Sequence, residues 1–380
     1  MAESPGWAPF RGAPPVEAAG RVWYLVQNPV DQIALASFDA ARPARVSVTR
    51  LPWEPGDSDD FRYRLSVAAG RPVVVYEMSD DASPQMQAVT VDPAALKVSQ
   101  PATVQLRTGT NPDYWSQADA ATVVTPAEGR FVRYSPTSNT WVRSPAARRG
   151  GVVLATIGKV PVEWVGPTGR AGRGAVYVGD KKLGVQLNPA ENPSMTGEGP
   201  VDTVVPVAVS DSWALLAVHT KNQNDPQAPT TRMLLVKPGS SNAQLVPVPG
   251  ADPFQVGFRN HELGDRQSGV AGRTGVVNAD GACVTVTPAG QLAVSPGESG
   301  QGGSLGGFDG QAGYLLVADE EGQVGAVTCP VGGKATPRVQ PGALPPALVT
   351  QAGAGVFHSR PAANDPGRDR LVFIPRASGG

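Results

Sequence analysis

The sequence predicts an all-β fold, and two observations lead to this prediction. Glycine and proline supply 45 and 38 of the 380 residues, and both disfavour helix interiors, by about 1 and 3 kcal/mol. Short apolar runs alternate with Gly, Pro, Asn and Asp, which is the pattern of strands joined by turns. Hydrophobic residues reach 41%, which is too high for a disordered chain, and no three-residue glycine period of the collagen type occurs.

Charge and hydropathy narrow the possible partners. The formal net charge is −1, whereas general binding to nucleic acids or anionic membranes needs a basic field. We therefore expect no nucleic-acid partner. No stretch approaches 18 consecutive apolar residues, so we also expect no membrane span. The N-terminus has neither a basic region nor an apolar core typical of a signal peptide. We expect a cytoplasmic protein if Met1 is native, and an extracytoplasmic one if Met1 replaces a cleaved signal peptide.

One unit recurs along the chain. Small residues precede a run of apolar residues, and then come a polar turn and a second strand. The starts of the units are about 40 to 60 residues apart, close to the repeat length of a four-stranded blade. The apolar runs lie in the segments 18–28, 68–77, 118–126, 172–180, 210–220, 272–281, 311–322 and 351–360.

This repeat resembles the β-propeller superfold. Eight units in 380 residues predict eight blades in a single domain, 1–380. Seven blades is the alternative, because the unit at 172–180 is weak and could be an elaborated loop. A β-sandwich or two tandem β-domains would be the non-propeller interpretation. The last unit has no outer strand of its own, so the N-terminal segment 1–17 is expected to close the ring.

The resemblance is to a fold and not to a family. The motifs of WD, kelch and sialidase repeats are absent from the sequence. Because propellers carry many unrelated functions, the resemblance implies no activity. It does imply that the loops joining second to third strands, and the loops between blades, gather at one face around the channel mouth.

The three histidines fall near this expected face. His219 and His358 end apolar runs, and His261 lies in the longest predicted inter-blade loop. Imidazoles act as bases, acids or metal ligands near neutral pH, and three of them can hold zinc with an open position. Their wide spacing argues against a metal site, so we expect no metal and no cofactor.

Two further loops carry candidate binding residues. LPWEPGDSDDF places Asp57 beside Trp53, where three aspartates suit calcium but a solvated turn is the simpler interpretation. NPDYWSQ supplies Asp113, Tyr114 and Trp115. Aromatic residues beside polar groups anchor interfaces and sugar-binding platforms, although Trp115 could instead cap the core between blades.

No nucleophile elbow, zinc-protease motif, CxxC or P-loop is present in the sequence. The absence of these motifs favours a non-enzymatic propeller, a scaffold or accessory subunit that binds a protein partner through its loop-rich face. The alternative is a hydrolase or lyase with its site at the channel mouth, using His219, His261 and His358. A glycan-binding propeller is a third possibility and would need Trp53 and Trp115 exposed.

Overall fold

The structure is a computed structural model. The residues it describes are 6–9, 15–30, 32–53, 61–78, 84–106, 113–116, 121–125, 130–144, 147–166, 173–185, 187, 201–209, 212–221, 231–247, 275–279, 282–286, 290–296, 303–308, 312–318, 324–330, 336–339, 346–349, 353–359 and 369–375.

The described residues form antiparallel sheets that follow one another along the chain, and five of these sheets precede residue 250. Sheet 1 contains β1 (Ala8–Pro9), β2 (Val16–Ala18), β3 (Arg21–Gln27), β4 (Ile33–Asp39) and β5 (Arg42–Arg50). Sheet 2 contains β6 (Phe61–Ala68), β7 (Arg71–Met78), β8 (Gln85–Asp92), β9 (Lys97–Val98) and β10 (Ala102–Gln105). Sheet 3 contains β11 (Asp113–Ser116), β12 (Ala121–Thr125), β13 (Arg130–Ser135) and β14 (Thr140–Arg143). Sheet 4 contains β15 (Gly151–Ile157), β16 (Val160–Val165), β17 (Ala175–Val178) and β18 (Lys181–Lys182). Sheet 5 contains β19 (Val201–Val209), β20 (Ala214–Lys221), β21 (Thr231–Val236) and β22 (Gln244–Pro247).

The remaining strands form two further sheets. Sheet 6 contains β23 (Gly275–Ala279), β24 (Ala282–Val286) and β25 (Leu292–Pro296). Sheet 7 contains β26 (Gly303–Phe308), β27 (Ala312–Ala318), β28 (Val324–Pro330), β29 (Thr336–Val339), β30 (Pro346–Val349), β31 (Gly353–Ser359) and β32 (Asp369–Pro375). One parallel pairing, between Gly307 of β26 and Val349 of β30, joins two antiparallel groups within sheet 7. The predicted all-β class is confirmed for the described residues.

The sheets pack face to face through their apolar side chains. Trp23 and Leu25 of sheet 1 share one buried cluster with Val74 and Val89 of sheet 2. Val73 and Val75 lie on the opposite face of sheet 2 and pack with residues of sheet 3 such as Tyr134. A third cluster joins sheets 4 and 5. The continuous apolar runs are therefore covered on both faces, as the sequence predicts for central strands.

The first strands of successive sheets lie side by side. Cα atoms approach within 8 Å between β2 and β6, β6 and β11, β15 and β19, β19 and β23, β23 and β26, and β26 and β30. β1 approaches β32 in the same way, so the series of contacts returns to its start. Sheets 3 and 4 differ, because β15 approaches β13 there. The arrangement is propeller-like, because most neighbouring sheets meet through their first strands and through their faces.

Two turns explain the small residues that precede the apolar runs. Ala19–Gly20 and Ala69–Gly70 connect β2 to β3 and β6 to β7, and all four residues have positive φ, between 50° and 71°. Two-residue hairpins with positive φ at both positions are type I′ turns, which match the right-handed twist of the strands. The Ala-Ala-Gly-Arg sequence at 18–21 and 68–71 is therefore a turn signature.

The structure corrects the sequence-based assignment in two places. Residues 175–178 form the third strand of sheet 4, whereas the corresponding apolar runs at 21–27, 71–78 and 214–221 form second strands. β16 pairs between β15 and β17 and is the second strand here. Residues 113–116, which the sequence places in a loop, form β11 and pair with β12; the aromatic pair Tyr114–Trp115 favours a strand.

The N-terminal segment enters sheet 1. β1 and β2 both pair antiparallel with β3, while β1 also lies beside β32. Closure of the last blade by residues 1–17 stays a prediction. In the part of the chain that the structure describes, no helix is long and apolar enough to cross a membrane.

Candidate functional site

The two ends of the sheets carry connections of different length. Because neighbouring strands are antiparallel, successive connections alternate between the two ends. At one end, here called the short-turn end, the connections 19–20, 40–41, 69–70, 158–159 and 179–180 have two residues each. At the other, the long-connection end, the segments 51–60, 166–174, 183–200 and 222–230 separate the strands. Long connections on a rigid scaffold are where binding and catalytic residues concentrate.

Four ionisable residues lie near the points where second strands reach the long-connection end, and one of them, Glu163, is the third residue from the end of β16. Glu77 is the penultimate residue of β7, and His358 holds the same position in β31. His219 is the third residue from the end of β20, where it pairs with Thr203 and Thr231. The topology therefore brings two carboxylates, Glu77 and Glu163, and two of the predicted histidines to the same end of four different sheets.

Glu77 is a candidate that sequence reasoning missed. Its side chain is buried, with 6% of the residue exposed, and its Cα pairs with Arg62 and Met86. Alternation along β7 places Glu77 on the face of Val73 and Val75, which packs toward sheet 3. Carboxylates are rarely buried, and this one ends an otherwise apolar run, which makes Glu77 a candidate. The signal in the sequence is the Glu that closes the run Val-Val-Val-Tyr.

Trp53 lies between the first two sheets. It is half-buried and packs against Tyr76 and Tyr63, at ring-centroid distances of 5.2 and 6.1 Å. Its indole N–H donates to Oε1 of Gln87 at 2.5 Å. These contacts make Trp53 a cap on the core between sheets 1 and 2.

Burial changes the titration of this aromatic cluster. The rings of Tyr63 and Tyr76 stack with centroids 4.9 Å apart. Burial raises the pKa of Tyr76 to about 12 and that of Tyr63 further still, because the charged phenolate is poorly solvated there. Both hydroxyls are therefore protonated at neutral pH.

The other predicted site residues are placed as follows. Asp113, Tyr114 and Trp115 form the start of β11, a strand at the inner side of sheet 3 that contacts β6 and β19. Asp57 and His261 lie outside the described residues. Within the described ranges, no group of three or more His, Cys, Asp or Glu side chains is arranged to hold a metal ion.

Glu163, the second of these carboxylates, belongs to a mixed-charge cluster in sheet 4. Glu163 of β16 is also 6% exposed, but Arg148 donates to its Oε2 at 2.6 Å. The same guanidinium donates to the Gly179 carbonyl at 2.9 Å and lies 4.5 Å from the centre of the Tyr177 ring. Glu163 is thus fully engaged in holding residues 147–150 against the sheet.

No protein-family model and no curated protein sequence matches the chain. Solved structures that it is similar to include an acylaminoacyl peptidase of Pyrococcus horikoshii, with a TM-score of 0.44 and 10% identity, covering 97% of this chain and 51% of that one. An α-L-arabinanase of Penicillium chrysogenum gives a TM-score of 0.36 at 10% identity, over 87% of this chain and 98% of the other. An ulvan lyase gives 0.38 at 8% identity, over 97% and 93%. The chain spans about half the length of the peptidase.

All three of these structures are enzymes, namely a peptidase, an arabinanase and a polysaccharide lyase. The prediction of a non-enzymatic, protein-binding scaffold is corrected on this finding, and the predicted protein partner has no support in the described residues. At identities of 10% or less a similar architecture does not carry an activity over. The chemistry of this chain therefore rests on its own residues.

Proposed function

We propose that this chain is a hydrolase or lyase whose active site lies at the long-connection end of an eight-bladed propeller. The antiparallel groups β1–β5, β6–β10, β11–β14, β15–β18, β19–β22, β23–β25, β26–β29 and β30–β32 would each be one blade. Residues 1–380 would then form a single domain. The contacts between first strands around the series support this ring.

The observation that carries the proposal is the position of Glu77, His219 and His358. Each lies within three residues of the end of a second strand, and all three strands end at the long-connection end. Histidine changes protonation close to pH 7, and a carboxylate accepts a proton there. These residues would supply general acid and base groups around the channel mouth.

The experiment is a substrate panel followed by substitution. The full chain is assayed on chromogenic aryl glycosides, uronate-containing polysaccharides and peptide anilides. We expect turnover of one class, and a loss of about 100-fold or more in kcat for Glu77→Gln, His219→Asn or His358→Asn, because a general acid or base typically contributes 10² to 10⁴.

Glu163→Gln is the matched control, because it replaces an equally buried carboxylate near the end of a second strand, one whose Oε2 accepts from Arg148. It should lower stability and leave kcat unchanged. Absence of turnover by the folded chain on every class, or full activity in all three variants, would refute the proposal.

A further inference from the structure

Lysine is concentrated in three adjoining segments at the short-turn end of sheets 4 and 5, namely 158–159, 179–182 and 237–243. These segments hold four of the seven lysines of the chain, Lys159, Lys181, Lys182 and Lys237. Because the same chain has 25 arginines, lysine is its rarer cation, and composition alone does not explain the concentration.

Direct contacts hold the three segments together. The Gly179 N–H donates to the Pro161 carbonyl at 2.8 Å, which joins the two turns of sheet 4. Lys181 Nζ donates to the Gly239 carbonyl at 3.2 Å, which joins sheet 4 to the segment of sheet 5. Since neighbouring strands are about 5 Å apart, the Cα atoms of Lys159 and Lys181 lie within roughly 15 Å of each other.

The segments expose a surplus of positive charge. Lys159, Lys181 and Lys182, here called the lysine patch, are all exposed. Asp180 is the one carboxylate in the three segments, and its Oδ1 lies 3.2 Å from Nη2 of Arg148. The lysine patch therefore presents three ammonium groups to solvent beside a single carboxylate that already has a cationic partner.

We infer that the lysine patch binds an acidic polysaccharide, a flexible chain of sugars that carry carboxylates. Lysine meets an anion as a compact, strongly hydrated point charge on a flexible stem, whereas arginine fixes the geometry of its partner. A group of exposed lysines on turns therefore suits a hydrated polymer whose carboxylates take no fixed orientation.

The other classes of partner need features that these segments lack. Protein interfaces are depleted in lysine and enriched in aromatic residues, and single-stranded nucleic acids stack on aromatic rings. The three segments contain no aromatic residue. An interfacial membrane site needs an apolar anchor, but the exposed large hydrophobic residues of the described part of the chain, Val30 and Val142, lie elsewhere. Duplex nucleic acid needs a broad basic field, and the formal net charge is −1.

The inference goes beyond the proposed function and does not depend on it. The lysine patch lies at the short-turn end, opposite the end at which catalysis is proposed, and binding is measured without turnover. Failure of one proposal therefore leaves the other in place.

The test is native electrophoresis of the full chain through gels that contain polygalacturonate, with gels that contain neutral dextran as the blank. We expect polygalacturonate, and not dextran, to retard the parent at low ionic strength. The double variant Lys159→Gln/Lys182→Gln should have a Kd about tenfold higher, because each exposed ion pair contributes a few-fold. The difference should vanish in about 1 M NaCl, where charges are screened beyond about 3 Å. Lys181 is kept because its side chain also bonds to sheet 5.

Lys97→Gln is the matched control, because Lys97 is an exposed lysine at the same end of sheet 2. It should bind polygalacturonate as the parent does. An equal Kd for the parent and the double variant, or an equal loss in Lys97→Gln, would overturn the inference. Tighter binding of the parent to duplex DNA or to phosphatidylserine vesicles than to polygalacturonate would also overturn it, because the partner would then be another polyanion.

Discussion

Arg148 and Glu163 form an ion pair in which Nη1 lies 2.6 Å from Oε2. The carboxylate belongs to a central strand of sheet 4 and is 8% exposed, whereas the Arg148 side chain is 33% exposed. The Arg148 backbone N–H also approaches Oε2, at 3.4 Å. One buried carboxylate therefore fixes both the main chain and the side chain of the segment that leads into β15.

Removing the arginine alone should lower the stability of the fold. We expect Arg148→Met to lower the free energy of unfolding by roughly 2 kcal/mol, less than the 3 to 5 typical of fully buried pairs because Arg148 is partly exposed. Adding Glu163→Gln in the same chain should recover part of the loss, since no charge then stays buried. Urea unfolding of the two variants measures this, and equal stability of Arg148→Met and the parent would contradict it.

Gly174 lies against the ring of Trp164. A Cβ at this position would stand 1.8 Å from Cη2 of the indole, and Trp164 belongs to the buried cluster between sheets 4 and 5. We expect Gly174→Ala to lower the free energy of unfolding by about 2 kcal/mol or more, because the ring must leave its packed position.

Gly166→Ala is the matched control for Gly174→Ala. Nothing lies within 4 Å of a Cβ at Gly166, and this glycine is the first residue of the same connection between β16 and β17. We expect its stability to stay within about 0.5 kcal/mol of the parent. Equal denaturation midpoints for Gly174→Ala and Gly166→Ala would contradict the packing of Gly174 against Trp164.

Alanine occupies the first position of both type I′ turns, although φ is positive there. Ala19 and Ala69 have φ values of 53° and 50°, a region where asparagine is tolerated better than alanine. We expect Ala19→Asn and Ala69→Asn each to raise the free energy of unfolding by up to about 1 kcal/mol. Ala41→Asn, at an exposed turn in sheet 1 without positive φ, should change little; an equal gain there would disprove the conformational explanation.

Alkaline stability should depend on Tyr76. Its pKa is raised from 10.0 to about 12 by burial, so the folded state holds the phenolic proton more tightly than the unfolded chain does. The contribution is complete below pH 10 and is lost as the pH rises toward 12, at about 1 kcal/mol per pH unit for one group. Urea midpoints at pH 8, 10 and 11 should fall less steeply in Tyr76→Phe than in the parent, and parallel curves would contradict this.

The strands themselves follow from local sequence. The apolar runs at 21–27, 71–78 and 214–221 are strands because continuous Val, Leu and aromatic residues suit a layer covered on both faces. Sheet 4 was misassigned because the Gly- and Pro-rich segment before 175 resembles the start of a unit. The true second strand, Val160–Val165, is recognised only by its pairing with β15 and β17.

The candidate site was less accessible to sequence reasoning. His219 and His358 stand out because histidine is rare in this chain, whereas Glu77 belongs to no motif and becomes notable only through its burial. Glu77 and His219 are 142 residues apart in the sequence, and His219 and His358 are 139 apart. Only the alternation of connections along the antiparallel sheets places them at one end, and such a long-range arrangement has no local signature.

Catalysis at the long-connection end is tested most directly by one pair of measurements. The kcat values of His358→Asn and Glu163→Gln are compared on the substrate class that the parent turns over. We expect the kcat of His358→Asn to fall about 100-fold or more with an unchanged melting temperature. For Glu163→Gln we expect a parent-like kcat with a lowered melting temperature. Parent-like turnover by His358→Asn, or loss of turnover in Glu163→Gln at a temperature where it is folded, would contradict it.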